Sequence, residues 1–224
     1  MPEIQILPSI LAADQSILSD ECTKAELAGG DQIHIDVMDG IFVSNTNFSP
    51  EIIIKALQTT TIPQDVHLMV QDPAPIIPAY IDAGADTIHI HIESNGNTSK
   101  ILRNIRNFGV RSGLAINPDT SVDNIFCYLD NEEVDNVLIM SVYPGLGGQS
   151  FISTVQSKIK EIRNRFPEID ITMDGGIDHN TIVDASSYGA NIFVAGSYLF
   201  QLDNMKQGIE KLRTLAKQNY AKNL

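Results

Sequence analysis

A chain of 224 residues, 43% of them hydrophobic, can bury the core of one large α/β domain more readily than the cores of two small ones. Its 28 acidic and 15 basic residues leave a formal charge of -13, which disfavours nucleic acid and anionic membrane as partners because both would be repelled. No run of eighteen apolar residues occurs and no basic segment precedes the first apolar stretch, so the expectation is a cytoplasmic enzyme with residues 1–224 forming one catalytic domain.

Short apolar, β-branched runs recur at 4–7, 32–37, 65–69, 87–92, 113–116, 137–142, 169–173 and 192–195, and these predict eight strands. Helical stretches lie between them. Ile152, Val155, Ile159, Ile162 and Phe166 form one apolar stripe at three-and-four spacing, and Met205, Ile209, Leu212 and Ala216 form another. Gly29-Gly30, Gly84, Gly109 and Gly189 fall near the predicted helix ends, where glycine accepts a left-handed backbone. Strict alternation of strand and helix with short links implies a parallel sheet, and eight units in this length favour closure into a (β/α)8 TIM barrel over an open doubly wound sheet. Cys22 and Cys127 form no CxxC pair; they read as packed thiols in a reducing compartment.

Catalytic groups of such barrels project from the C-terminal strand ends, so polar residues there are informative. His34 and Asp36 alternate on one face of the second strand, with Ile33, Ile35 and Val37 on the other. His67 lies near the end of the third strand and Asp174 follows the seventh. Each alone fits a hydrogen-bonded polar residue in a barrel mouth. Together, two imidazoles and two carboxylates suit one divalent ion of zinc, iron, manganese or cobalt. On the fourth strand His89 reads as filler of an interior layer, while His91 and Glu93 leave two roles open, substrate contact or support of the ligands.

All nine lysines and five of six arginines fall in predicted helices, with Arg111 at the N-terminal side of the fifth strand. That argues against a Schiff-base aldolase, which needs a lysine inside the barrel, and leaves an anionic substrate to be gripped by backbone. Glycines at Gly145-Leu146-Gly147-Gly148, Gly175-Gly176 and Gly196-Ser197 end the last three strands and allow amide groups to approach a phosphate.

These segments are recognisable. Pro8-Ser9-Ile10-Leu11, His34-Ile35-Asp36-Val37-Met38-Asp39-Gly40, Val66-His67-Leu68-Met69-Val70, Gly113-Leu114-Ala115-Ile116-Asn117-Pro118, Pro144-Gly145-Leu146-Gly147-Gly148-Gln149, Met173-Asp174-Gly175-Gly176-Ile177 and Val194-Ala195-Gly196-Ser197 resemble, in order and spacing, the ribulose-phosphate 3-epimerase family. The resemblance implies a barrel of the ribulose-phosphate-binding type. It also implies a small phosphorylated sugar as substrate and a homo-oligomer. His34, Asp36, His67 and Asp174 would ligate the metal, and Asp36 and Asp174 would be the catalytic acid-base pair. Ser9 and His67 would meet the substrate; Met38, Met69 and Met140 would cap the reacting carbons; Gly145, Leu146, Gly147, Gly148, Gly175, Gly176, Gly196 and Ser197 would take the phosphate.

Inverting C3 of a ketose phosphate requires proton removal on one face and return on the other, hence two carboxylates. Strands two and seven lie three steps apart in an eight-stranded ring, so Asp36 and Asp174 can flank a substrate across the mouth. A decarboxylase of the orotidine-phosphate type needs an alternating Asp and Lys at a strand end, and none occurs. A non-catalytic sugar-phosphate sensor would be expected to lose one carboxylate. The remaining alternative is a paralogous epimerase of a hexulose phosphate such as D-allulose 6-phosphate, kept open by Ile41, Ser44, Tyr143, Leu146 and Tyr198, which depart from the common pattern.

Overall fold

In the computed structural model, which describes residues 2–224, the β-branched runs form strands β1 (Gln5–Pro8), β2 (Ile33–Asp39), β4 (Gln64–Met69), β5 (Thr87–His91), β6 (Arg111–Ile116), β7 (Asn136–Met140), β8 (Asp170–Asp174) and β9 (Ile192–Ala195). A two-residue strand, β3 (Thr46–Asn47), pairs antiparallel with the end of β2 through Met38–Asn47 and Asp39–Thr46, within what reads from sequence as a plain loop. Strand order is β1-β9-β8-β7-β6-β5-β4-β2-β3, and every pairing except β2–β3 is parallel. The ring closes between its first and second strands: Ser9 and His34 form a parallel bridge, and Asp31 N–H donates to Ile6 O at 3.1 Å. The expected barrel is therefore present.

Helices α1 (Leu18–Leu27), α2 (Pro50–Ala56), α3 (Ile77–Asp82), α4 (Thr98–Asn107), α5 (Asp123–Asp130), α6 (Gln156–Arg165), α7 (Thr181–Ser187), α8 (Ser197–Phe200) and α9 (Met205–Asn219) follow the strands. The longest is set up locally: the Asn204 side chain caps its start by accepting from Gln207 N–H, and Met205, Ile209, Leu212 and Ala216 are buried as the stripe predicts. The helix-end glycines Gly29, Gly84, Gly109 and Gly189 all have positive φ, between 79° and 106°.

Strand alternation sorts the residues onto two surfaces. Outward-facing Ile33, Ile35, Val37, Val66, Leu68, Ile88, Ile90, Leu114 and Ile116 join the helices in the main core. The barrel interior is different. Small apolar clusters, Leu7 with Ile192 and Val194 and Ala115 with Leu138 and Met140, share it with the buried polar residues His34, Asp36, Asp65, His67, His89, His91, Asn136 and Thr172.

Two expectations are corrected. Cys22 is buried, with its thiol pushed up to about 12 by burial, but Cys127 is exposed on α5 rather than packed, because that helix turns Ile125, Phe126 and Leu129 to the core. Lys222 lies beyond the end of α9 and not in a helix. Among the described residues no helix is long and apolar enough to cross a membrane.

Candidate active site and metal centre

Register brings the polar residues together. Asp36 pairs with His67 across β2 and β4, and ring closure carries Asp174 at the end of β8 to the same mouth. One ligand atom from each of His34, Asp36, His67 and Asp174 lies within 4.8 Å of the other three. His34 Nε2 is 3.3 Å from Asp36 Oδ1 and 3.6 Å from Asp174 Oδ2; His67 Nδ1 is 3.2 Å and 3.3 Å from the same two oxygens. Four ligands held about 2.0–2.2 Å from a tetrahedral ion stand about 3.3–3.6 Å apart, so this spacing fits a divalent metal. The donor set fits as well, since His34 Nε2 is buried with no hydrogen-bond partner in a cluster of imidazole and carboxylate.

Each of these four residues is held from behind. His34 Nδ1 lies 2.7 Å from Asp65 Oδ2, and the other Asp65 oxygen meets His89 Nε2 at 2.8 Å. His67 Nε2 lies 2.8 Å from His91 Nε2, and His91 Nδ1 is 3.1 Å from Glu93 Oε2. The Ser9 hydroxyl donates to Asp36 Oδ2 at 2.7 Å, which leaves Oδ1 for the cluster. Ser141 donates to the main-chain carbonyls of Asp174 and Gly175, fixing the turn that carries the second carboxylate. Among these partners, Asp65 and Ser141 are the residues that the sequence reading missed, and for Asp65 the pattern offered a sign, a carboxylate two residues before His67 on the same strand face.

Electrostatics follow from this packing. Burial disfavours charge on His34, but the nearby Asp36 and Asp174 carboxylates and the hydrogen bond to Asp65 outweigh it and hold its pKa well above the ordinary value. His67 is likewise raised, burial being outweighed by Asp174 and Asp36. Burial also opposes ionisation of Asp36, yet His34 and His67 hold it well below the usual carboxylate range; Asp174 is lowered by the same two histidines against burial and the Asp36 charge. Burial brings His91 down to about 4, whereas Glu93 stays ionised at about 2 because His91, Thr120 and Asn117 overcome its burial.

Above the cluster opens a cavity of about 560 Å³. Asp36 and Asp174 form part of its floor with Ser9, Met38, Met69 and Met140; Gly145, Leu146, Gly147, Gly148, Gly175, Gly176, Gly196 and Ser197 line the rest. Gly175 and Gly176 have φ of +116° and +61°, and a Cβ on them would lie 2.5 Å from Val142 and 2.8 Å from Phe151 N. Only glycine fits there. No lysine or arginine lines the cavity among the described residues, so backbone amides and hydroxyls are what it offers an anion.

The Ribulose-phosphate 3 epimerase family model matches residues 5–200. The chain belongs to this family. It is 40% identical to the ribulose-phosphate 3-epimerase of Bacillus subtilis (strain 168), over 94% of this chain and 98% of the relative. Identity to the Escherichia coli (strain K12) ribulose-phosphate 3-epimerase is 38%, over 96% of each chain. Fold likeness reaches further: a ligand complex of KGPDC from Streptococcus mutans superposes with a TM-score of 0.73 at 10% identity, covering 97% of this chain and 99% of that one. A 3-hexulose-6-phosphate synthase superposes at 0.66 with 11% identity, over 95% and 99%.

Within the epimerase fold the expected site residues divide into two groups. His34 and His67 are fully buried beneath the floor and do not line the cavity, whereas the two aspartates do. Leu146 sits at the rim, 63% exposed. Tyr143 lines the cavity while its hydroxyl donates to Asp119 Oδ2, and the Tyr198 ring packs beside His179. His89 fills an interior layer as expected, although its Nδ1 has no partner.

Proposed function

We propose that this epimerase interconverts D-ribulose 5-phosphate and D-xylulose 5-phosphate by proton transfer at C3 between Asp36 and Asp174. The observation that carries this is the placement of both carboxylates on the floor of one cavity, beside two buried imidazoles and opposite a wall of glycine amides. His34, Asp36, His67 and Asp174 would hold one zinc, iron, manganese or cobalt ion, which when bound supplies positive charge against the negative charge developing on the substrate oxygens. One aspartate takes the C3 proton as carboxylate, and the other returns a proton on the opposite face; the reverse reaction exchanges their roles. The Ser9 hydroxyl orients Asp36. Met38, Met69 and Met140 keep water from the reacting carbons, and Gly147, Gly148, Gly175, Gly176, Gly196 and Ser197 receive the phosphate.

Two further parts of this reading concern setting. Free thiols, one of them exposed, support a reducing cytoplasm. Exposed Ile41, Ile52 and Ile54 support burial against a second copy in a homo-oligomer.

Metal-loaded protein assayed in deuterated water is expected to place solvent deuterium at C3, and Asp36→Asn and Asp174→Asn are each expected to lower kcat by about a thousandfold. Near-normal activity in either variant would overturn the pairing. Tyr143 and Tyr198 line the cavity and add bulk there, so kcat/KM for ribulose 5-phosphate should exceed that for allulose 6-phosphate by about tenfold, a difference of only about 1.4 kcal/mol. Equal or reversed values would transfer the assignment to the hexulose phosphate.

A further inference from the structure

The chain of contacts behind His67 runs from its Nε2 through His91 to Glu93. Glu93 Oε1 accepts from the Asn117 N–H at 2.9 Å and from the Thr120 hydroxyl, and with His91 these donors hold the carboxyl ionised against its burial, so that Oε2 accepts. His91 Nδ1, 3.1 Å away, must then carry a proton. A neutral His91 leaves Nε2 bare, and the 2.8 Å contact with His67 requires a donor on the other side. His67 therefore donates from Nε2, and Nδ1 is the nitrogen it turns to Asp36 and Asp174, the one a bound ion would meet. On the opposite side of the cluster the nitrogens exchange places: Asp65 accepts from His34 Nδ1–H, which leaves Nε2 as the nitrogen that faces the cluster.

We propose that His91 and Glu93 are positioning residues of the metal centre, which fix His67 as an Nδ1 ligand while Asp65 fixes His34 as an Nε2 ligand. This rests on the metal reading above and extends it to which nitrogen binds. His91 is 1% exposed and Glu93 does not line the cavity, so neither is a substrate contact. Packing fixes the imidazole plane as well: the His67 and His91 rings stack with centroids 5.0 Å apart, and Phe42 covers His91 at 4.8 Å. Glu93 is a demanding position, since donors meet both of its oxygens. An amide of the same shape accepts at one end only and opposes a donor with a donor at the other.

The test begins with cobalt(II) affinity, measured by competition with a chelator. Wild-type protein is expected to bind one ion and His34→Ala to lose it. Glu93→Gln and His91→Leu should each weaken affinity by about 10–100-fold, and His91→Gln, which restores an acceptor, should recover part of the loss. Nitrogen-15 spectra of histidine-labelled, zinc-loaded wild type need no variant and should show His67 protonated at Nε2 and His34 at Nδ1. Wild type without bound cobalt would overturn the metal reading and this inference with it. Normal affinity in Glu93→Gln and His91→Leu, or His67 protonated at Nδ1, would overturn this inference and leave the metal reading standing.

Discussion

Gly113 illustrates how one absent side chain serves the site. Its φ is unremarkable; what the position requires is space, because a Cβ there would lie 2.1 Å from His89 Nδ1 and 2.5 Å from Cγ. His89 stands beside it in register, and its other nitrogen holds Asp65, which holds His34. Gly113→Ala is therefore expected to cost about 1–3 kcal/mol of stability by overpacking a filled layer. In the double variant Gly113→Ala/His89→Ala the clash is gone, so urea denaturation of the four-member cycle should show the alanine at 113 costing far less than it does alone. Strict additivity would show that the two positions do not compete for the same space.

At the scale of elements, the loop that follows β6 is held by a helix on its far side. Lys158 of α6 donates to the carbonyls of Asn117 at 2.9 Å, Pro118 at 2.6 Å and Thr120 at 2.6 Å. The same loop supplies both donors to Glu93 Oε1, and its Asp119 accepts the Tyr143 hydroxyl from the loop after β7. That second loop is in turn tied to the β2–β3 hairpin, where Asn45 Nδ2 donates to Gly145 O at 2.8 Å. Lys158→Met keeps the apolar stem and removes three charge-assisted bonds, so a loss of about 2–3 kcal/mol is expected. Amide exchange should accelerate over 117–121, and kcat should fall several-fold as Glu93 loses its ordered donors. Unchanged exchange in that segment would show that the loop stands without the lysine.

For the molecule as a whole, a polar barrel interior makes stability depend on pH and metal together. His34 and His67 titrate above the ordinary value of 6.5 in the folded protein. Their contribution is thus complete below about 6.5 and lost as pH rises through their folded values. His89 and His91 titrate below 6.5, His91 at about 4, so folding takes up their neutral forms and stability is lost as pH falls from 6.5 toward those values. Metal-free protein should accordingly melt highest near pH 6.5, about where the two trends cross. A bound divalent ion needs bare imidazoles, so it should remove the alkaline decline. Melting curves recorded between about pH 5 and 9, with excess chelator and with cobalt(II), check both arms. A melting temperature that rises steadily to pH 9 without metal would contradict the histidine assignments.

Much of this architecture was legible in the chain because it depends on local rules. Apolar β-branched runs and three-and-four stripes specify strands and helices, and alternation alone puts His34 and Asp36 on one face. The glycines at 175 and 176 mark turns whose backbone angles other residues resist. What only the tertiary structure decided are contacts across strands. Asp65 beneath His34, His91 behind His67, and Lys158 clamped on the 117–120 loop join residues 24 to 41 positions apart. Ser9 behaves similarly: its hydroxyl lies on Asp36, a choice made by the closing bridge between Ser9 and His34. The short β3 and the exposure of Cys127 also depended on how neighbouring elements pack. A sequence states which residues share a strand face, but ring closure sets the register between strands, and register determines which buried donor meets which acceptor.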